Sequence, residues 1–187
     1  MIRPASPSDA TAVVPLIIQA MGKLAQKLTN VEDENVINQI LKHFFMQRGN
    51  QYSYENTLVF EEEGKVLGSL NAYDGGKLHE LRKPFLHYVA EHHHSSELNQ
   101  GTETEAGEFY LDSISVNPSA QGKGIGKQLI KAGIDWAKKL GHHKIGLLVE
   151  QNNPNALRLY EKMNLVIQNE KQFMGGLYHH MVFKINC

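Results

Sequence analysis

The 187-residue chain has one cysteine, Cys187, and it is the last residue. A single thiol cannot close a disulfide within the chain, and no zinc site can rest on thiolates. A thiol at a chain end is expected to be a bystander. Charge of one sign is also missing. Nineteen Lys and Arg stand against 20 Asp and Glu, for a formal net charge of −1. That balance argues against a dedicated nucleic-acid binder, which usually carries a strongly basic face. No run of 18 apolar residues exists, so no membrane span is expected. The opening "MIRPASPSDA" lacks the apolar core of a secretion signal. A cytoplasmic protein is therefore the expectation. With 41% hydrophobic residues at this length, one domain over residues 1–187 should bury a full core.

What is present is a succession of strand-like and helix-like runs. "MIRPASPSDATAVVPLI" reads as a short strand and then a helix, with Ser8 or Asp9 as its cap and Val13, Val14, Ile17 and Ile18 apolar. Residues Val31 to Phe45 carry apolar side chains at helical spacing, and Asn56 to Tyr73 reads as a hairpin turning at Glu-Gly-Lys. The segment 74–107 interrupts this order. It contains a helical pattern from Leu78 to Ala90 and then a polar, acidic stretch with Glu97, Glu103, Glu105 and Glu108. That stretch reads as a solvated, mobile loop. Phe109 to Val116 reads as a strand, Gly122 to Leu140 as an amphipathic helix ended by Gly141, and "HKIGLLVE" as a further strand. Asn153 and Pro154 occupy N-cap and first-turn positions of a helix with Ala156, Leu159, Tyr160 and Met163 on one side. "LVIQNEKQF" and "LYHHMVFKI" close the chain as an antiparallel pair. The class is mixed α/β.

Three glycines, Gly122, Gly124 and Gly126, lie between a strand and a helix. A helix N-terminus offers unpaired N–H groups and a partial positive charge, and glycines let an anion approach the backbone closely. The stretch from Gln121 to Lys127 is thus a candidate phosphate cradle, with Lys123 and Lys127 adding charge. The spacing fails the P-loop pattern, because Gln121 and Gln128 stand where Gly and Ser/Thr are needed. It also fails Gly-x-Gly-x-x-Gly dinucleotide spacing, with Lys127 in the third glycine's place. What stands is Gln121-Gly122-Lys123-Gly124-Ile125-Gly126.

This Gln-x-x-Gly-x-Gly run resembles the core motif of the GNAT family of N-acetyltransferases. "NNPNALRLYEKMNL" resembles the second family signature, with Asn164-Leu165 where Gly-Phe is usual, and "IRPASPSDA" is similar to the family's first strand and helix. The resemblance covers most of the chain and is weakest over 74–107, which it marks as an insertion before the fourth strand. It implies a mostly antiparallel sheet of six to seven strands, flanked by helices and splayed between the fourth and fifth strands. It further implies acetyl-CoA as cosubstrate, its pyrophosphate on the amides of Gln121 to Lys127, Ile125 included. The pantetheine arm would lie along the backbone of Ile114 and Val116, and Asn153 would reach the cofactor. Sheet core for Ile114 and Val116, and helix capping for Asn153, account for the same residues equally well.

The resemblance implies direct attack of a primary amine on the thioester in a ternary complex. Tyr160 is the candidate general acid, since a phenol can protonate a leaving thiolate. A core tyrosine is the other reading. The amine must lose a proton, and the candidate bases are Asp112, Glu108 and Glu150. Asp112 should share a strand face with Tyr110 and Ile114. The His92-His93-His94 and His179-His180 clusters lack the spacing of a closed metal site, so no metal is expected. His179 or His180, with Tyr178, would border the acceptor. The acceptor is a small-molecule or peptide amine, with a homodimer possible. The alternative is a non-catalytic acyl-CoA-binding sensor of the same fold.

Overall fold

The computed structural model describes residues 1–93 and 101–185. His94, Glu97 and Cys187 lie outside them. The chain order is β1 (Ile2–Pro4), α1 (Ala10–Met21), α2 (Lys23–Thr29), α3 (Glu34–Phe45), β2 (Thr57–Glu62), β3 (Lys65–Asp74) and α4 (Leu78–His93). It continues as β4 (Phe109–Val116), α5 (Ile125–Lys139), β5 (Lys144–Glu150), α6 (Pro154–Glu161), β6 (Val166–Phe173) and β7 (Gly176–Lys184). The strands form one seven-stranded sheet in the order β1-β2-β3-β4-β5-β7-β6. Every neighbouring pair is antiparallel except β4–β5. The mixed α/β expectation is met. Among the described residues, no helix is long and apolar enough to cross a membrane.

Three local readings change. Neither Ser8 nor Asp9 caps α1 with its side chain. The Asp9 carboxylate instead accepts from the Ser6 amide at 2.7 Å and from Arg3 at 2.8 Å. The helix expected from Val31 begins at Glu34, because the Asp33 carboxylate caps it by accepting from the amides of Asn35 and Val36. The short helix α2, seven mostly polar residues after Gly22, was not expected at all.

Helices α5 and α6 pack on one face of the sheet, around Leu70, Leu111, Leu129, Ile130 and Leu147. The first four helices cover the other face, around Val13, Ile17, Phe44, Phe45 and Phe85. Two irregularities in β4 prepare the site. Against β3, Asn71 faces Ser113 and Ala72 faces Leu111, so Asp112 is an extra residue with no partner, a β-bulge. The bulge resets the alternation. Ile114 and Val116 pack with the cluster that holds Leu111, whereas Tyr110 belongs to a small cluster with Tyr73 and Leu78. The shared face expected for Tyr110, Asp112 and Ile114 is therefore corrected. Against β5, the ladder holds only at Phe109–Ile145 and Tyr110–Gly146. Beyond those rungs the two strands part.

Candidate active site

The parting of β4 and β5 opens a cleft of about 1100 Å³. One wall is the far half of β4. The Asn117 amide donates to the Leu67 carbonyl at 2.8 Å, and Gly68 lies opposite Val116. Hydrogen-bonded and non-bonded pairs alternate along an antiparallel ladder. The pairs of Val116 and of Ile114 with β3 are then the non-bonded ones. Their N–H and C=O groups point away from β3 toward the opening. The Val116 carbonyl accepts from the side-chain amides of Gln19 at 3.0 Å and Gln121 at 3.2 Å.

One end of the cleft is the loop before α5. Gly122 and Gly124 have φ of +79° and +80°, the left-handed region that a Cβ disfavours. A Cβ at either would meet nothing within 4 Å, so the loop faces open space. Behind it stand the unpaired amides of the first turn of α5. Gln121, Gly122, Gly124, Ile125, Gly126 and Lys127 line the cleft; Lys123 is exposed and does not. Asn153 and Tyr160 line it from α6. The Asn153 side chain caps α6, accepting from the Ala156 amide at 3.1 Å. Burial pushes the Tyr160 phenol up to about 12, so it keeps its proton through the neutral range.

The other end holds a chain of polar groups. The Gln51 side-chain amide donates to Asp112 and to the Tyr73 hydroxyl, both at 3.1 Å. The Gln51 oxygen accepts from Arg82 at 2.8 Å. Arg82, in turn, makes a two-pronged buried pair with Glu103, one prong at 3.0 Å. Burial, and then the Glu103 charge, raise the Asp112 carboxyl to about 6, against the pull of Arg82 and hydrogen bonds from Gln51 and Tyr73. A base poised there is half ionised just below neutrality. Tyr52, Tyr110, Phe173 and Tyr178 add ring walls. The Tyr52 hydroxyl is buried without a hydrogen-bonding partner. Glu150 lines the cleft and accepts from the Tyr178 hydroxyl at 3.5 Å.

Gln51, Tyr52, Arg82 and Glu103 escaped the sequence reading. Arg82 lies within the helical pattern of Leu78 to Ala90 and Glu103 within the acidic stretch, but nothing local marks them as partners, and only long-range pairing brings the four together. The solvated loop expected at 97–108 is corrected over its described part. Glu103 and Glu108 are 3% and 0% exposed, because Arg82 and His180 supply buried partners. Glu108 is therefore not a base for the cleft. Its carboxylate meets the His180 ring at 3.0 Å, and the ring's other nitrogen lies 3.3 Å from Glu105. Burial alone would raise the Glu105 carboxyl, but Asn169, His180 and Lys171 hold it at about 2. Donor atoms of Glu105, Glu108 and His180 lie within 4.8 Å of one another. Lys144 and Lys171 already bring cationic charge to them, at 3.7 and 3.4 Å. His179 and His180 do not border the cleft; Tyr178 does.

The Glu108 carboxylate reaches His180 by passing over Gly146 of β5. A Cβ on Gly146 would sit 2.2 Å from a Glu108 carboxylate oxygen. Gly146→Ala is expected to unseat this buried pair and destabilise the fold by about 2 kcal/mol. A denaturant midpoint unchanged from the parent would show that the pair contributes nothing.

Comparison with known proteins adds three findings. A family model described as the acetyltransferase (GNAT) family matches residues 30–165. A mycothiol acetyltransferase of Paenarthrobacter aurescens is 40% identical over 78 residues, 42% of this chain and 24% of that protein. The chain spans 16–32% of the length of such curated relatives. A solved acetyltransferase structure is 29% identical over the full length of both chains, with a TM-score of 0.82. The N-acetyltransferase of Staphylococcus aureus Mu50 shares the fold at a TM-score of 0.85, with 21% identity over 98% of this chain and 100% of that one.

Proposed function

This chain belongs to the acetyltransferase (GNAT) family, and from that premise we propose that it moves an acetyl group from acetyl-CoA to a primary amine by direct attack in a ternary complex. The observation that carries the reading is the two-rung β4–β5 ladder. It opens a slot edged on one side by the outward N–H and C=O groups of Ile114 and Val116. An extended amide-bearing arm fits there as a substitute strand. The left-handed Gly122 and Gly124 and the first-turn amides of α5 suit a pyrophosphate. Residues Gln121 to Lys127 would hold it, with Lys127 adding charge from the lining. Lys123 would act at the exposed rim.

Acetyl-CoA, when bound, supplies an acetyl group on a thiol ester. The chain's own groups do the rest. Asp112 takes the proton that the amine must lose. The Val116 amide faces the thioester oxygen, where a preorganised donor lowers the barrier most. Tyr160 donates to the departing sulfur. Burial raises the proton affinity of that sulfur as it raises the phenol's. Asn153 completes the cofactor side from the α6 N-terminus.

The test is thermal unfolding with and without about 1 mM acetyl-CoA, using NAD and ATP as controls. A dissociation constant of about 10 µM gives ~100-fold saturation, which adds about 2.7 kcal/mol. The midpoint is then expected to rise by roughly 5–11 °C. No rise with acetyl-CoA would remove the main support for the reading. A rise without acetyl transfer to any amine would favour a non-catalytic acyl-CoA-binding protein.

A further inference from the structure

The acceptor end of the cleft carries a charge and a shape that restrict what can enter. Its carboxylates are Asp112 at the β4 bulge, Glu103, and Glu150 at the end of β5. Its inner cation, Arg82, is 5% exposed and fully committed to Glu103 and Gln51. Glu103 is spent on that same pair. Lys23 lines the cleft from the exposed rim. Asp112 inside and the exposed Glu150 at the mouth are left in excess, among the rings of Tyr52, Tyr110, Phe173 and Tyr178. Ring faces attract organic cations as carboxylates do.

The two carboxylates are set apart along the slot. Tyr110 and Gly146 form the last rung; Asp112 follows it by two residues on β4 and Glu150 by four on β5, on opposite sides of the widening gap. Two walls of this end are also tied together. The Lys27 ammonium of α2 donates to the Met174 carbonyl in the β6–β7 turn at 2.7 Å. A tied chamber suits a small molecule entering lengthwise better than a peptide lying across the surface.

We infer that the acceptor is a small amine with a second cationic group, the reacting nitrogen on the β4 side of the slot and the distal cation on the β5 side. Asp112 receives the reacting amine, and Glu150 with the Tyr178 ring holds the distal cation. A carboxylate beside the reacting amine is disfavoured. This rests on the acetyltransferase reading above. In the reaction the aminium proton passes to Asp112, and the freed nitrogen forms a bond to the acetyl carbonyl carbon. The carbon–sulfur bond breaks, and the sulfur takes the Tyr160 proton. Asp112 releases that first proton to solvent, and the second proton, lost by the nitrogen once it is acylated, passes through Asp112 and solvent to restore Tyr160.

The experiment measures acetylation of 1,4-diaminobutane, n-butylamine and ornithine by the full chain with acetyl-CoA, reading free thiol and product mass. Diaminobutane is expected to exceed butylamine roughly five- to tenfold in kcat/KM, chiefly through KM, as one partly exposed ion pair allows. Ornithine should fall below diaminobutane, because its carboxylate meets Glu150 when the δ-amine reacts and Asp112 when the α-amine does. Glu150→Gln should bring the ratio of the two simple amines down to about two, the statistical factor for two equivalent amines. Equal rates for diaminobutane and butylamine, preference for ornithine, or faster acetylation of a peptide N-terminus would each overturn the inference while leaving the transferase reading intact. Failure to acetylate any amine, with the acetyl-CoA thermal shift preserved, would overturn both.

Discussion

Asp112→Asn is expected to lower kcat/KM about 10³-fold at pH 7, and the deficit should shrink as pH rises. On the proposed reading, the parent enzyme takes up the protonated amine and removes its proton with Asp112. Its activity should fall below about pH 6, where that carboxylate protonates, and level off above. The variant has no base and must wait for free amine. With an amine reference pKa near ~10.4, its rate should climb about tenfold per pH unit until the amine itself titrates. The two profiles therefore converge on the alkaline side. A deficit that stays constant from pH 6 to pH 10 would remove Asp112 from the proton path. The same substitution has an opposite effect on stability. The folded-state pKa of Asp112 is raised, so ionisation costs folding free energy as pH climbs from about 4 through about 6. Asn, which cannot ionise, should stabilise the fold by about 1–2 kcal/mol at pH 7 and by nothing at pH 3. A group kept at a cost to the fold is what a working base looks like.

Tyr160→Phe is expected to lower kcat about 10²-fold while leaving acetyl-CoA affinity nearly unchanged, the usual scale for one proton-transfer partner. The ring packs against the main core, and Phe keeps that packing. Only the hydroxyl is removed. Calorimetry for acetyl-CoA and steady-state rates separate the two effects. The thiolate then leaves unprotonated, so an acyl donor with a more acidic thiol should recover most of the loss. An unchanged kcat would make Tyr160 a core residue alone.

The cleft lining proposed for the cofactor was legible in the sequence because its parts are local. Gln121 to Lys127 and Asn153 to Tyr160 each lie within one strand-to-helix junction, where glycine conformation, capping and helix period fix the geometry. The acceptor side was not. Gln51 and Asp112 are 61 residues apart in the chain, and Arg82 and Glu103 are 21 apart. Nothing local distinguishes a carboxylate that will meet a buried arginine from one that will meet water, so the acidic stretch read as solvent-facing. The Asp112 bulge was hidden for a related reason. Strict alternation is the default for a strand, and an extra residue shows only against its partner strand. Helix α2 is too short and too polar to announce itself.

The two-rung seam also divides the sheet into panels. One holds β1 to β4, the other β5, β7 and β6. At the closed end of the seam, the Glu108 carboxylate crosses β5 to His180 of β7, fastening the panels like a rivet. At the open end, among the described residues, no β4–β5 ladder joins them. The molecule is thus hinged at one end of its own sheet. Widening the slot costs few backbone hydrogen bonds, so its width is set by side chains: the shared core on one face and the bond from Lys27 to Met174 on the other.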